Sequence, residues 1–110
     1  MPNHTHPDTT EIATLRDEYP SGLRVLMQHE SVGYLLDALL DMPGTEFNKS
    51  LLADQAGVSR QSVHTHLPLL VTLGIVTEVA ESDPVTYTLT DDDEIVRLLS
   101  QLEGLVNQRL

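Results

Sequence analysis

The chain has no cysteine, no tryptophan and a single phenylalanine, and its only lysine is Lys49. Without cysteine it has neither disulfides nor thiolate metal ligands. With three tyrosines beside Phe47, its core has to be aliphatic, built from Leu, Val, Ile and Ala. No apolar run approaches the roughly 18 residues that a membrane helix needs. The first twenty residues, MPNHTHPDTTEIATLRDEYP, lack the basic and apolar regions of a secretory signal. These absences lead to the expectation of a cytoplasmic protein with no membrane contact. A length of 110 residues fits one domain with a modest core.

Acid is abundant. Seventeen Asp and Glu face six Lys and Arg, for a formal net charge of −11. Such a surface resists association with a polyanion in dilute buffer. Together with frequent threonine and scarce lysine, it resembles the proteins of extremely halophilic archaea, which work in molar potassium chloride. There an acidic surface stays hydrated while salt screens its self-repulsion. The Debye length falls to ~3 Å at about 1 M salt.

Along the chain, residues 1–9 are polar, carry Pro2 and Pro7, and read as a disordered tail; His4 and His6 read as tail residues rather than metal ligands. A short helix is predicted from Thr10 to Tyr19, ended by Pro20. GLRVLMQHE, 22–30, fits helix and strand equally. SVGYLLDALLDMPG, 31–44, reads as a helix capped by Ser31, with Val32, Leu35, Leu36, Leu39 and Leu40 at helical spacing and Pro43-Gly44 as its stop. TEF, 45–47, is a short extended link. Asn48 caps a helix from Lys49 to Ala56, with Leu51, Leu52 and Ala56 on its inner face. Gly57 ends it in a left-handed turn. Ser59 caps the next helix, which runs to about Thr72. GIVTEVA, 74–80, and VTYTLT, 85–90, are strand candidates around the turn cluster ESDP, with Val85, Tyr87 and Leu89 on one face. Thr90 is predicted to cap a last helix, with Asp91, Asp92, Asp93 and Glu94 in its first turn, where the helix dipole favours negative charge.

The block NKSLLADQAGVSRQSVHTHLPLLVTLGIV, 48–76, resembles the winged helix-turn-helix regulators of archaea and bacteria. Its nearest pattern is the ArsR-like type, in which a recognition helix ending His-Leu-x-x-Leu leads into Gly-(Leu/Ile)-Val. Here that pattern reads His66-Leu67-Pro68-Leu69-Leu70, then Gly74-Ile75-Val76. The resemblance is strong over about 30 residues and loose beyond them. It implies an α+β fold, mainly α: a winged helix-turn-helix domain over 10–90 with an N-terminal extension, and a C-terminal dimerisation helix over 91–110. It also implies a sequence-specific transcriptional regulator that binds double-stranded DNA.

The residue pattern supports this reading independently. Ala53 is small where two helices have to cross. Val63, Leu67 and Leu70 form a stripe that faces the core. The opposite face presents Arg60, Gln61, His64 and Thr65, with Ser62 beside them. Arg60 suits guanine or a phosphate, Gln61 adenine, Thr65 a thymine methyl and Ser62 a phosphate. Lys49 and Ser59 complete the candidate DNA-binding set. Each also has a plain reading as a solvated side chain. His64 is a groove candidate, and His66 is expected partly buried against the first helix of the pair. Two apart on a helix, the two imidazoles point to different faces and make a poor metal pair, so no metal and no cofactor are expected.

Two departures from the family pattern stand out. Pro68 occupies a position that usually holds an exposed polar residue. Inside a helix it removes one backbone bond and crowds the carbonyl of His64, giving either a kink that turns the C-terminal half away from DNA or a gentle bend with no consequence. Glu78, Glu81 and Asp83 cluster where relatives place Arg or Lys for the minor groove. Such a hairpin approaches DNA through hydrated potassium ions, stands off it, or is structural.

In the last helix, Ile95, Leu98, Leu99, Leu102, Leu105, Val106 and Leu110 recur at three- and four-residue steps, which predicts a homodimer interface along that stripe. Gly104 is expected to permit close helix approach. The alternative function is a winged-helix module that binds proteins and not DNA. Nothing gathers a nucleophile, a base and an oxyanion site, so no enzyme is expected. Metal sensing is not carried over from ArsR-like repressors, because the chain lacks cysteine and its last helix lacks histidine.

Overall fold

The computed structural model describes residues 9–110. Residues 1–8, with His4 and His6, lie outside the described residues; Thr9, assigned to the tail by sequence, opens the first helix. The elements run α1 Thr9–Glu18, α2 Gly22–Leu26, α3 Glu30–Leu40, α4 Lys49–Ala56, α5 Arg60–Thr72, β1 Val76–Val79, β2 Thr86–Leu89 and α6 Glu94–Arg109. The fold is thus mainly helical with one small antiparallel sheet, pairing Val76 with Leu89 and Val79 with Thr86. Of the ambiguous 22–30 stretch, Gly22–Leu26 is a short helix, 27–29 is a turn, and Glu30 opens α3. The extended link before α4 contributes one bridge, in which Phe47 and Tyr87 exchange backbone hydrogen bonds of 2.9 and 2.8 Å.

The core lies where α3, α4, α5 and the hairpin meet. Val32, Leu35 and Leu39 come from α3, Leu52 and Ala53 from α4, and Val63, Leu67 and Leu70 from α5; Phe47, Ile75, Val76 and Leu89 close it. Each fully buried Leu or Val stabilises the fold by about 1.5–3 kcal/mol relative to exposure. The stripe read from sequence on α5 is the buried one. On α4 the reading needs correction: Leu51 is 38% exposed, and the inner positions are Leu52 and Ala53 with Ala56 partly buried. Leu52 and Ala56 are one turn apart and face inward together, whereas Leu51 is turned about 100° away from Leu52.

The helix termini explain the boundaries. Asn48 Oδ1 accepts from the Leu51 amide at 2.8 Å, as predicted. At the other end of α4 the chain turns at Gly57, φ 71°, where any side chain would be strained. Helix α5 ends in a two-bond cap: Ile75 N donates to Leu70 O and Gly74 N to Val71 O, at 2.9 and 3.0 Å, with Gly74 at φ 80°.

Two caps differ from the sequence reading. Ser31 does not cap α3. It is buried in the first turn, and His29 is the cap, its Nδ1 accepting from Ser31 N at 3.0 Å. Thr90 does not cap α6. Asp93 does, accepting from Val96 N at 3.1 Å. Thr90 instead extends the hairpin, with its N–H on Ile75 O at 2.9 Å and its hydroxyl 2.8 Å from that of Thr77. A carboxylate has to sit at the helix entrance to reach the free amides, and Asp93 occupies that place.

Candidate nucleic-acid interface

Helices α4 and α5 are joined by the three residues Gly57, Val58 and Ser59. Burial of Val63, Leu67 and Leu70 fixes the rotation of α5 about its own axis. The face opposite that stripe is therefore turned to solvent. Arg60, Gln61, His64 and Thr65 are exposed there, with Ser62 partly so. Sequence and structure agree on this face, which the inward side chains dictate.

The polar side chains on it are partly organised. Ser59 Oγ accepts from Ser62 N at 3.0 Å and donates to Ser62 Oγ at 3.2 Å. Its role in the structure is to cap α5. Gln61 Nε2 reaches Thr65 Oγ1 at 3.4 Å, one turn along. Lys49, at the start of α4, places Nζ 3.1 Å from His64 Nδ1. An ammonium only donates, so Nδ1 is the acceptor and the ring proton sits on Nε2. The Arg60 side chain makes no ion pair or hydrogen bond among the described residues. The face thus offers two cations about the start of α5, an amide and hydroxyls, all able to hydrogen-bond an external polar ligand.

His66 points elsewhere. Its ring lies 4.7 Å from that of His29, tilted by 30°, and it is half-buried. One neighbour of His66 is therefore the cap of α3. Burial first, and then the His29 imidazole, hold the pKa of His66 below the ordinary 6.5. Sequence reading missed His29, because an imidazole cap carries no pattern beyond one histidine before a helix. Pro68 is exposed, and α5 continues through it to Thr72. The carbonyl of His64, which it leaves without a helical donor, belongs to an exposed residue that water can reach.

The hairpin carries Glu78 half-buried, with Glu81 and Asp83 exposed. Burial, and then Glu78, push the Tyr87 hydroxyl above the ordinary phenol range, so it stays protonated at neutral pH.

Of the six residues assigned to a dimer interface, Ile95, Leu98, Leu102, Leu105 and Val106 are exposed. Leu99 packs with Val96 against the core and belongs to the inner side of α6. Within the chain a Cβ placed at Gly104 meets nothing within 4 Å, and helical spacing puts this residue opposite Leu102. No family model, curated protein or solved structure matches the chain. Among the described residues, no helix is long and apolar enough to cross a membrane.

Proposed function

We propose that this chain is a winged helix-turn-helix regulator that reads double-stranded DNA with α5, as a homodimer, in concentrated salt. The observation that carries the reading is the exposed face of α5. Arg60, Gln61, His64 and Thr65 project from a helix anchored by three buried side chains and set on a tight glycine turn. A helix held this way can enter a major groove, about 12 Å wide, and present its first turns to base edges.

In this reading Arg60 takes a guanine or a phosphate, and Gln61 an adenine once it leaves Thr65. Lys49 grips the backbone beside His64, whose Nε2–H is directed to an acceptor on the DNA. Ser62 and Thr65 add shorter-range contacts. A two-fold dimer presents two such helices to half-sites about 34 Å apart.

With six basic residues against seventeen acidic ones, counterion release contributes little. Ordinary DNA binding weakens steeply with salt for that reason. Here base-edge hydrogen bonds, fit and water release carry the affinity, and hydrated potassium ions bridge the hairpin carboxylates to phosphates where the two approach. The competing reading, a protein-binding module, is favoured by one observation: the exposed acids Glu81 and Asp83 on the hairpin tip.

Pull-down of genomic fragments in concentrated potassium chloride separates the two. The regulator enriches a defined set of duplexes, and Arg60→Ala with Gln61→Ala loses that enrichment while retaining the fold. Equal recovery of all fragments by both proteins contradicts the proposal.

A further inference from the structure

Helix α6 has sixteen residues and none of them is buried. Leu102 is 57% exposed and Leu110 97%. Val96 and Leu99 touch the core, and beyond them the helix continues for more than two turns with Leu102, Leu105 and Val106 open on one side. A single helix of this length is marginal in water unless its apolar face is packed.

The arrangement along that face is self-complementary. Take two copies of α6 side by side and antiparallel, centred between Gln101 and Leu102. Each residue then lies level with the one equally far beyond the centre on the other helix. Leu98 meets Leu105 of the second copy. Ile95 comes within two residues of its Val106, and the two Leu102 side chains meet at the middle. Helical spacing puts Leu98 and Leu105 on one flank of the stripe and Ile95 and Val106 on the other; antiparallel two-fold pairing brings like flanks together. Glu94 in the first turn is then level with Arg109 in the last turn of the second copy, on the same flank, and the pair occurs twice. Within one chain Glu94 bonds Arg97 at 3.3 Å, whereas Arg109 has no ion pair among the described residues. The second copy's Leu110 comes beside Ile95, which lines an open apolar groove with Leu15, Leu23, Leu26 and Leu73. A parallel pair would set Glu94 against Glu94 and Arg109 against Arg109.

We propose that α6 is the docking surface for α6 of a second copy of this chain, antiparallel about the Gln101–Leu102 midpoint, with Glu94 of each facing Arg109 of the other. Apolar burial supplies the affinity. The exposed charge pairs add little in salt; they disfavour the parallel pairing, and the matched apolar flanks set the register. The assignment gives the proposed homodimer a surface and a register, and it does not depend on DNA binding.

The native chain has no cysteine, so introduced thiols report only on this interface. In the full-length protein, Leu102→Cys is expected to cross-link to itself under mild oxidation. Leu98→Cys and Leu105→Cys are expected to cross-link to each other when mixed, far faster than either does alone. Sedimentation of the unmodified chain is expected to give a dimer. Leu102→Glu is expected to weaken that dimer by about tenfold or more, with helical circular dichroism retained because the site is exposed. At low salt, where the charges are unscreened, Glu94→Arg weakens it, and adding Arg109→Glu restores it. A monomeric wild-type chain, an undiminished Leu102→Glu dimer, or self-cross-linking of Leu98→Cys and of Leu105→Cys in preference to each other would overturn the assignment. None of these readouts involves DNA, so this proposal and the DNA-reading proposal fail separately.

Discussion

Lys49 Nζ lies 3.1 Å from His64 Nδ1, joining the first residue of α4 to the exposed face of α5. The contact orients the imidazole, because Nδ1 accepts and Nε2–H is directed away from the lysine. It also holds a cation beside the face that we propose meets DNA.

Replacing Lys49 by Ala removes one phosphate contact without touching a base edge. Affinity is expected to fall by a similar factor for every duplex, and the slope of log affinity against log salt to change by roughly one. Titration of two unrelated duplexes by fluorescence anisotropy checks this. Loss confined to one sequence would assign Lys49 a base contact instead.

Leu67→Ala removes a side chain only 1% exposed and leaves a cavity under α5. It is expected to cost about 2–5 kcal/mol in a denaturant titration. Pro68→Ala, its exposed neighbour, is expected to stabilise by about 1–2 kcal/mol. The restored amide bond to His64 O outweighs the extra freedom of the unfolded chain.

The depressed pKa of His66 links stability to pH. Between the folded value and the ordinary 6.5, the unfolded chain holds more protons than the folded one. This contribution is therefore fully present above about pH 6.5 and declines as pH falls toward the folded value. His66→Gln is expected to reduce the loss of stability between about pH 7.5 and about pH 5.5, compared at one salt concentration. An unchanged pH profile would remove His66 from the account.

Asp93 caps α6 and Thr90 does not. Asp93→Ala is expected to cost about 0.5–2 kcal/mol and Thr90→Ala less, since only an exposed hydroxyl pair with Thr77 is lost. Thermal melts of the two variants rank them.

Much of the chain was legible from its residues. The buried stripe Val63, Leu67, Leu70, the caps Asn48 and Ser59 and the left-handed Gly57 follow from period and local chemistry, which do not need tertiary context. What was illegible depends on it. His29 caps α3 only because the chain from α2 delivers its ring there. Leu51 and Leu52 are adjacent leucines, and packing alone decides which is inside. Thr90 and Asp93 both suit a cap, and the end of the hairpin chooses between them. On the candidate site, sequence named Lys49 and His64 separately, but their contact spans fifteen residues and appears only once α4 and α5 are packed.

In the proposed function, fit and a few polar contacts, not bulk charge, hold this acidic chain to a duplex. The direct measurement is the affinity for the most enriched duplex, against a scrambled control, from about 1 to about 3 M potassium chloride, where the Debye length is at most ~3 Å. The preference for the enriched sequence is expected to hold or grow across that range. A steep fall in affinity with salt, or no preference at any concentration, would contradict the proposed function.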